Sequence, residues 1–294
     1  MIDPDLLSVI VRAAGFVCLF QAAGGALFLA LFGSQLATSH LTVRRLVLAA
    51  ALLGAPLVLA HQALDAARMA GDYAGLMDRD LQRLAWVSSD GAAHLVQALG
   101  LLLVATGLIG AQGRNLILAG AVLAVLAFVL TGHTSVHPTR ALLAPLLGVH
   151  VLVIAFWFGA LAPLFLVVGR EPYAVAVWVL EKFSALAVWL VPLIPLAGLG
   201  LAYVLTPGLA VLRRPYGQLL SVKLLLFAAL MGLAALNRLR WVRALMVQGA
   251  DLGPGVVAGA AGKSLRRSIG AEYLLVAATL SVTAVLTTFY APDH

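Results

Sequence analysis

The 294-residue chain is poor in nearly everything a soluble enzyme uses on its surface and in its site. It has a single cysteine, Cys18, so no disulfide framework forms within the chain and no cysteine-rich zinc or iron–sulfur site is available. Inside an apolar segment, that one thiol reads as a small packing residue. Only 11% of the residues are charged, which leaves too little polar surface for an ordinary globular domain. Methionine is also scarce: Met1, Met69, Met77, Met231 and Met246 form no thioether ladder across the chain, which argues against a soft-ligand relay for a cuprous ion. There is no HExxH motif, no fixed-period repeat, no nucleophile beside a base and no pair of surface acids, so hydrolytic chemistry is not expected.

What the chain has in abundance is apolar length. Sixty-three per cent of residues are hydrophobic and the mean hydropathy is +1.04. Runs of about 20 such residues suffice to cross a bilayer as helix. Eight are legible: Leu6 to Leu31, Leu46 to Ala67, Ser89 to Ile109, Leu116 to Thr131, Ala141 to Val168, Phe183 to Leu205, Leu219 to Leu239 and Ser268 to Tyr290. The expected fold is therefore all-α, a single polytopic transmembrane domain over residues 1–294 with eight helices in a bundle. The start, MIDPD, is acidic and the first run exceeds a signal-peptide core, so the first helix reads as retained.

Orientation follows from the basic residues, which are held in the cytoplasm. Arg238, Arg240, Arg243, Lys263, Arg266 and Arg267 crowd one loop and its flanks, and that side carries all of the net charge of +7. With an even number of crossings, both termini come out on the other, periplasmic side of a bacterial inner membrane. The basic balance thus reads as orientation and contact with anionic lipid, not as nucleic-acid binding. Residues 68–88 read as a short amphipathic helix on the outer surface with Trp86 at headgroup level, and residues 170–182 as a segment too short to span, lying along the inner interface. Gly24 and Gly25 mark close helix packing, and Pro192 and Pro195 a kink in the sixth crossing.

The chemistry lies in the histidines. His150 falls nine residues beyond Ala141, which at ~1.5 Å per residue puts it roughly 13 Å inside an apolar segment. An imidazole at that depth requires a partner. His133 and His137 stand at the mouth of the same segment, in a connector where Pro138 discourages helix. His61 with Asp65, and Asp90 with His94 and Gln97, occupy single helix faces at the outer ends of the second and third crossings. The topology thus gathers His61, His94, His133, His137 and His150 on the outer half as a candidate transition-metal site, with Asp65 and Asp90 as acceptors for ring N–H groups and Trp157 beside it. An all-histidine site fits Cu(II) or two-coordinate Cu(I), and equally allows two-histidine ligation of haem b in an electron carrier.

Several stretches resemble one family. Gly132–His133, the run HVLVIAFWFGALAPL from His150 to Leu164, PYGQLLSVKLLLFAAL with Lys223, ALNRLRWVRAL with Asn237, and LRRSIGAEY with Glu272 running on to Pro292 are similar to the CopD family of copper resistance membrane proteins. The resemblance covers roughly residues 120–292. It implies an inner-membrane protein, not an enzyme, that takes copper from the periplasm, often from a small CopC-like carrier, and passes it toward the cytoplasm. No such carrier domain is fused here, so a donor would act in trans. His133, His150, Trp157, Gly159, Lys223, Asn237 and Glu272 match the family's pattern, whereas His61, His94 and His137 are additional to it. Supply of copper to a respiratory enzyme without transport is a further reading that the same features allow.

Overall fold

A computed structural model describes residues 2–110, 113–131, 137–205, 213–242, 245 and 260–290. It is 92% helix and, among the described residues, contains no strand. The helices are α1 (Pro4–Phe32), α2 (His40–Ala70), α3 (Arg79–Val87), α4 (Ser89–Ile109), α5 (Gly113–Leu126), α6 (Arg140–Arg170), α7 (Tyr173–Leu190), α8 (Leu193–Leu205), α9 (Pro215–Leu236) and α10 (Ala260–Phe289). With 3-10 and π turns added to their ends and α7 and α8 joined, they give eight helices long and apolar enough to cross a membrane. The chain is an all-α, multi-pass membrane protein, as its apolar runs imply.

In one segment the structure departs from the expectation. Residues 173–182 do not lie along an interface: they are the first half of α7, and α7 with α8 makes one crossing, Tyr173–Leu205. Glu181 and Lys182 misled the hydropathy count, yet both stand mid-way along α7 on its exposed side, where long side chains can reach back toward water. The break between α7 and α8 falls at Val191 and Pro192, where proline cannot continue the hydrogen-bond ladder. Between α2 and α4 the expected short amphipathic helix is present as α3, preceded by a 3-10 turn (Tyr73–Met77).

Helix α1 is the hub, packed against α2, α5, α6 and α10. Its closest approach is to α6. A β-carbon on Gly24 would stand 1.7 Å from the Ala155 carbonyl oxygen, and one on Gly159 would stand 2.4 Å from the Gly24 α-carbon. Only glycine permits backbones this near, and Gln21 exploits it by donating from Nε2 to the Gly159 carbonyl at 3.0 Å. At the end of α6 the buried Glu171 carboxylate accepts from the backbone N–H groups of Ala37, Thr38 and Ser39 and from the Ser39 hydroxyl. Burial alone would raise its pKa, but these donors outweigh burial and hold it below the usual carboxylate range.

At the opposite end, the start of α1 meets the end of α10. Arg12 donates to the Thr287 carbonyl at 3.2 Å, and Arg68 on α2 bridges Asp5, Asp65 and the Thr288 carbonyl. The start of α1 and the end of α10 therefore lie at one end of the bundle, together with the C-terminal turns of α2 and the first turns of α4.

Candidate metal centre

The end of the bundle where the chain's ends meet is also where two histidines face each other. His61 stands two and a half turns before the end of α2, on the face turned inward, and His94 stands in the second turn of α4. They are 3% and 8% exposed, and their rings lie 5.2 Å apart between centroids, inclined at 40°. The spacing of Asp90 and His94 lets the ring's Nδ1 donate to the Asp90 carbonyl at 2.7 Å. That bond fixes the tautomer and leaves Nε2 with its lone pair and, among the described residues, no hydrogen-bond partner. His61 goes further: among the described residues neither Nδ1 nor Nε2 has a partner.

A buried polar atom left unpaired costs about 1–3 kcal/mol. An imidazole with two such atoms, beside a second ring that has one nitrogen free, is a candidate ligand pair for a metal ion. Metal–imidazole bonds of about 2 Å reach across such a gap when the two bonds are bent at the ion. The donor set is nitrogen only. Among the described residues no group of three or more His, Cys, Asp or Glu side chains stands close enough to hold one ion. The arrangement therefore fits a metal content with two imidazoles better than one demanding a tetrahedral shell.

Charge surrounds the pair in layers. Toward the end of the bundle lie Asp5, Arg68 and Asp65, linked at 2.8 and 3.0 Å. Further in, the charge of Arg12 acts on His61, His94, Asp65 and Asp90. Among the described residues its Nε has no partner, and neither does the buried Asp90 Oδ1. Gln97, one turn past His94, and Gln62, next to His61, are buried alongside, the latter donating to the Ala85 carbonyl at 2.8 Å. Sequence reasoning missed Arg12 and Arg68 here. A guanidinium two turns inside an apolar run was the available signal.

The other candidate histidines lie apart from this pair. His150 is two-thirds of a helix away from the end of α6, and its Nδ1 bonds the Ile194 carbonyl of α8 at 2.9 Å. Its Cε1 would be 3.2 Å from a β-carbon on Gly198, so glycine is what lets the ring lie against α8. Lys223 on α9 acts electrostatically on it, and Trp157, two turns on, packs edge-on against Phe227. Among the described residues His61 and His94 are the one imidazole pair in ring contact, so the expected convergence of His150 with them on a shared point is not seen. The reason is the hub: α1 stands between α2 and α6. His137 bonds Thr139 in the connector before α6, and His133 lies outside the described residues. Asp65 is engaged by Arg68 rather than by His61.

An eight-crossing helical protein with a buried imidazole pair is the class these observations define. Two family models match the chain: Copper resistance protein D over residues 177–286, and Copper resistance protein D-like, N-terminal domain over residues 1–143. The chain belongs to the copper resistance protein D family. The similarity reaches well beyond the C-terminal stretch from which it was first legible, into the half that carries His61 and His94, while His150 and Trp157 fall between the two matched ranges. Neither the curated proteins nor the solved structures contain a match.

Proposed function

We propose that this protein imports copper across a bacterial inner membrane, receiving it at the periplasmic end of the bundle and holding it between His61 and His94. The carrying observation is the buried His61 ring with two bare nitrogens in contact with a ring whose Nε2 is also bare. Two nitrogens and no thiolate suit a two-coordinate cuprous ion. The basic loop between α9 and α10 supports the orientation, with both termini periplasmic. His137 stands at the connector before α6, where a soluble CopC-like donor acting in trans would first meet the protein. His150 repeats the geometry of His94, with Nδ1 on a carbonyl and Nε2 bare, and is a second station for the ion, in the field of Lys223. The protein supplies ligands and a path; no catalysed reaction is assigned to it.

Metal analysis of purified protein tests the reading. Wild type is expected to bind cuprous ion, and His61→Ala or His94→Ala to lose one equivalent. Full copper stoichiometry in the double variant would overturn the site. An intense Soret band in the purified protein would replace copper with haem b. Copper accumulation in sealed vesicles separates an importer from a protein that only supplies copper to an assembly partner.

A further inference from the structure

A second buried polar cluster lies far from the histidine pair and is not used by it. Helix α9 ends in a π-helical turn, Asn237–Val242, a distortion that is uncommon and concentrates at functional sites. It packs on α10, which presents Ser268 and Glu272 on one face, four residues apart. Glu272, Asn237 and Ser268 are 4%, 7% and 9% exposed. Glu272 lies five residues beyond Arg267, roughly 7 Å deeper into the apolar zone. Asn237 Nδ2 donates to Glu272 Oε1, while among the described residues Asn237 Oδ1 and Ser268 Oγ have no partner.

A carboxylate in such surroundings is kept by a counter-charge, by several hydrogen-bond donors as at Glu171, or by a proton, and among the described residues Glu272 has the single donor Asn237. No counter-charge is present: among the described residues the ion pairs are those of Arg68, at the other end of the bundle. Of the charged groups on the elements packed around it, Arg238 of the π turn donates to the Ser184 carbonyl, Arg240 lies over Trp241, Arg266 lies over Phe165 and Lys223 of α9 acts on His150, while Tyr273 stacks on Phe158 of α6. The donors available to an ion are three oxygens of carboxyl, amide and hydroxyl type, hard ligands that do not select copper. A proton needs only one of them. The bare Asn237 Oδ1 is then explained, because a half-turn of the amide exchanges a donor for an acceptor. The ionised carboxylate accepts from Nδ2–H, and the protonated carboxyl donates its O–H to Oδ1.

The geometry points to Glu272 as a proton-binding site, switched by Asn237, that takes up and releases one proton in each copper-transport cycle. The binding of the proton stands on the cluster alone; its coupling to copper rests on the importer reading. In the step itself a proton joins a carboxylate oxygen and later leaves it, and no electrons move.

Infrared difference spectra of purified protein across a pH titration test the proton site. Wild type is expected to show the carbonyl stretch of a protonated carboxyl, Glu272→Gln to lose it, and Asn237→Leu to shift it because the hydroxyl loses its acceptor. Superposable wild-type and Glu272→Gln spectra would overturn the site. Vesicles loaded with a pH-sensitive dye test the coupling. Copper uptake by wild type is expected to change lumenal pH, and Glu272→Gln, still binding copper at His61 and His94, to lose that change. Uptake at unchanged lumenal pH, or uptake driven by a sodium gradient, overturns the coupling. So does a wild type that moves no copper while retaining the infrared band, and that result defeats the importer reading while the proton site stands.

Discussion

The two halves of this bundle solve the problem of living in lipid differently. In α6, 72% of the most apolar stretch is buried within the protein, and in α1 61%; in the crossing formed by α9 and its π turn the figure is 6%. The first set forms an interior in which backbones touch. The second lies along the outside, with Leu224, Leu225 and Leu236 exposed. Because lipid tails are as apolar as leucine, an exposed leucine in such a helix costs nothing, and association there rests on packing and hydrogen bonds. The difference teaches that hydropathy alone does not locate function in this chain: α6 and α9 are almost equally apolar, yet one is core and the other rim.

Paired glycine substitutions break the comparison most sharply. Gly24→Leu drives a side chain into the Ala155 backbone and is expected to abolish folded, monodisperse protein, whereas Gly232→Leu on α9, with open space where its β-carbon would go, should change stability within about 0.5 kcal/mol. Size-exclusion and thermal unfolding in detergent check both. If the two variants behave alike, the interior and rim are not distinct.

A smaller effect is expected at Glu171, where the packed half is tied together. Glu171→Gln weakens three backbone donors and a hydroxyl that now meet a charge, a loss on the order of 3 kcal/mol. Because the folded-state pKa is depressed, this stabilisation is present above the ordinary value of 4.5 and is lost as pH falls through the lower folded value. Thermal stability of wild type and variant should therefore converge in acid and diverge toward neutrality.

The smallest effect sharpens the contrast between the two histidine environments. Arg12→Gln removes a positive charge that acts on His61 and His94, and copper affinity measured against a competing chelator is expected to rise about tenfold, ~1.4 kcal/mol. Lys223→Gln, whose charge acts on His150, should leave binding at the pair unchanged.

Much of the fold was legible because membrane solubility reduces it to counting. The eight runs became eight crossings, and the outer amphipathic segment and the proline break appeared where composition placed them. Residues 173–182 were misread because Glu181 and Lys182 interrupt the hydropathy, although charged ends are tolerated where a side chain reaches water. The site was half legible. Helical spacing put His61 and His94 at the same end of the bundle, and an argument from sidedness was enough to bring them together. The same argument placed His150 with them and could not do otherwise, because sidedness fixes depth and not azimuth. Which helix stands between two others is decided by Gly24 and Gly159, whose meaning depends on a contact 135 positions apart in the chain.

Arg12 and Arg68 each touch two things: the field around the histidine pair, and the last turns of α10 at Thr287 and Thr288. Helix α10 runs unbroken for 30 residues with no internal proline, a stiff rod with Glu272 part-way along it. A cation bound beside the histidine pair would repel the two guanidiniums that hold the end of this rod, so a push at one end of the bundle would be carried along α10 toward Glu272.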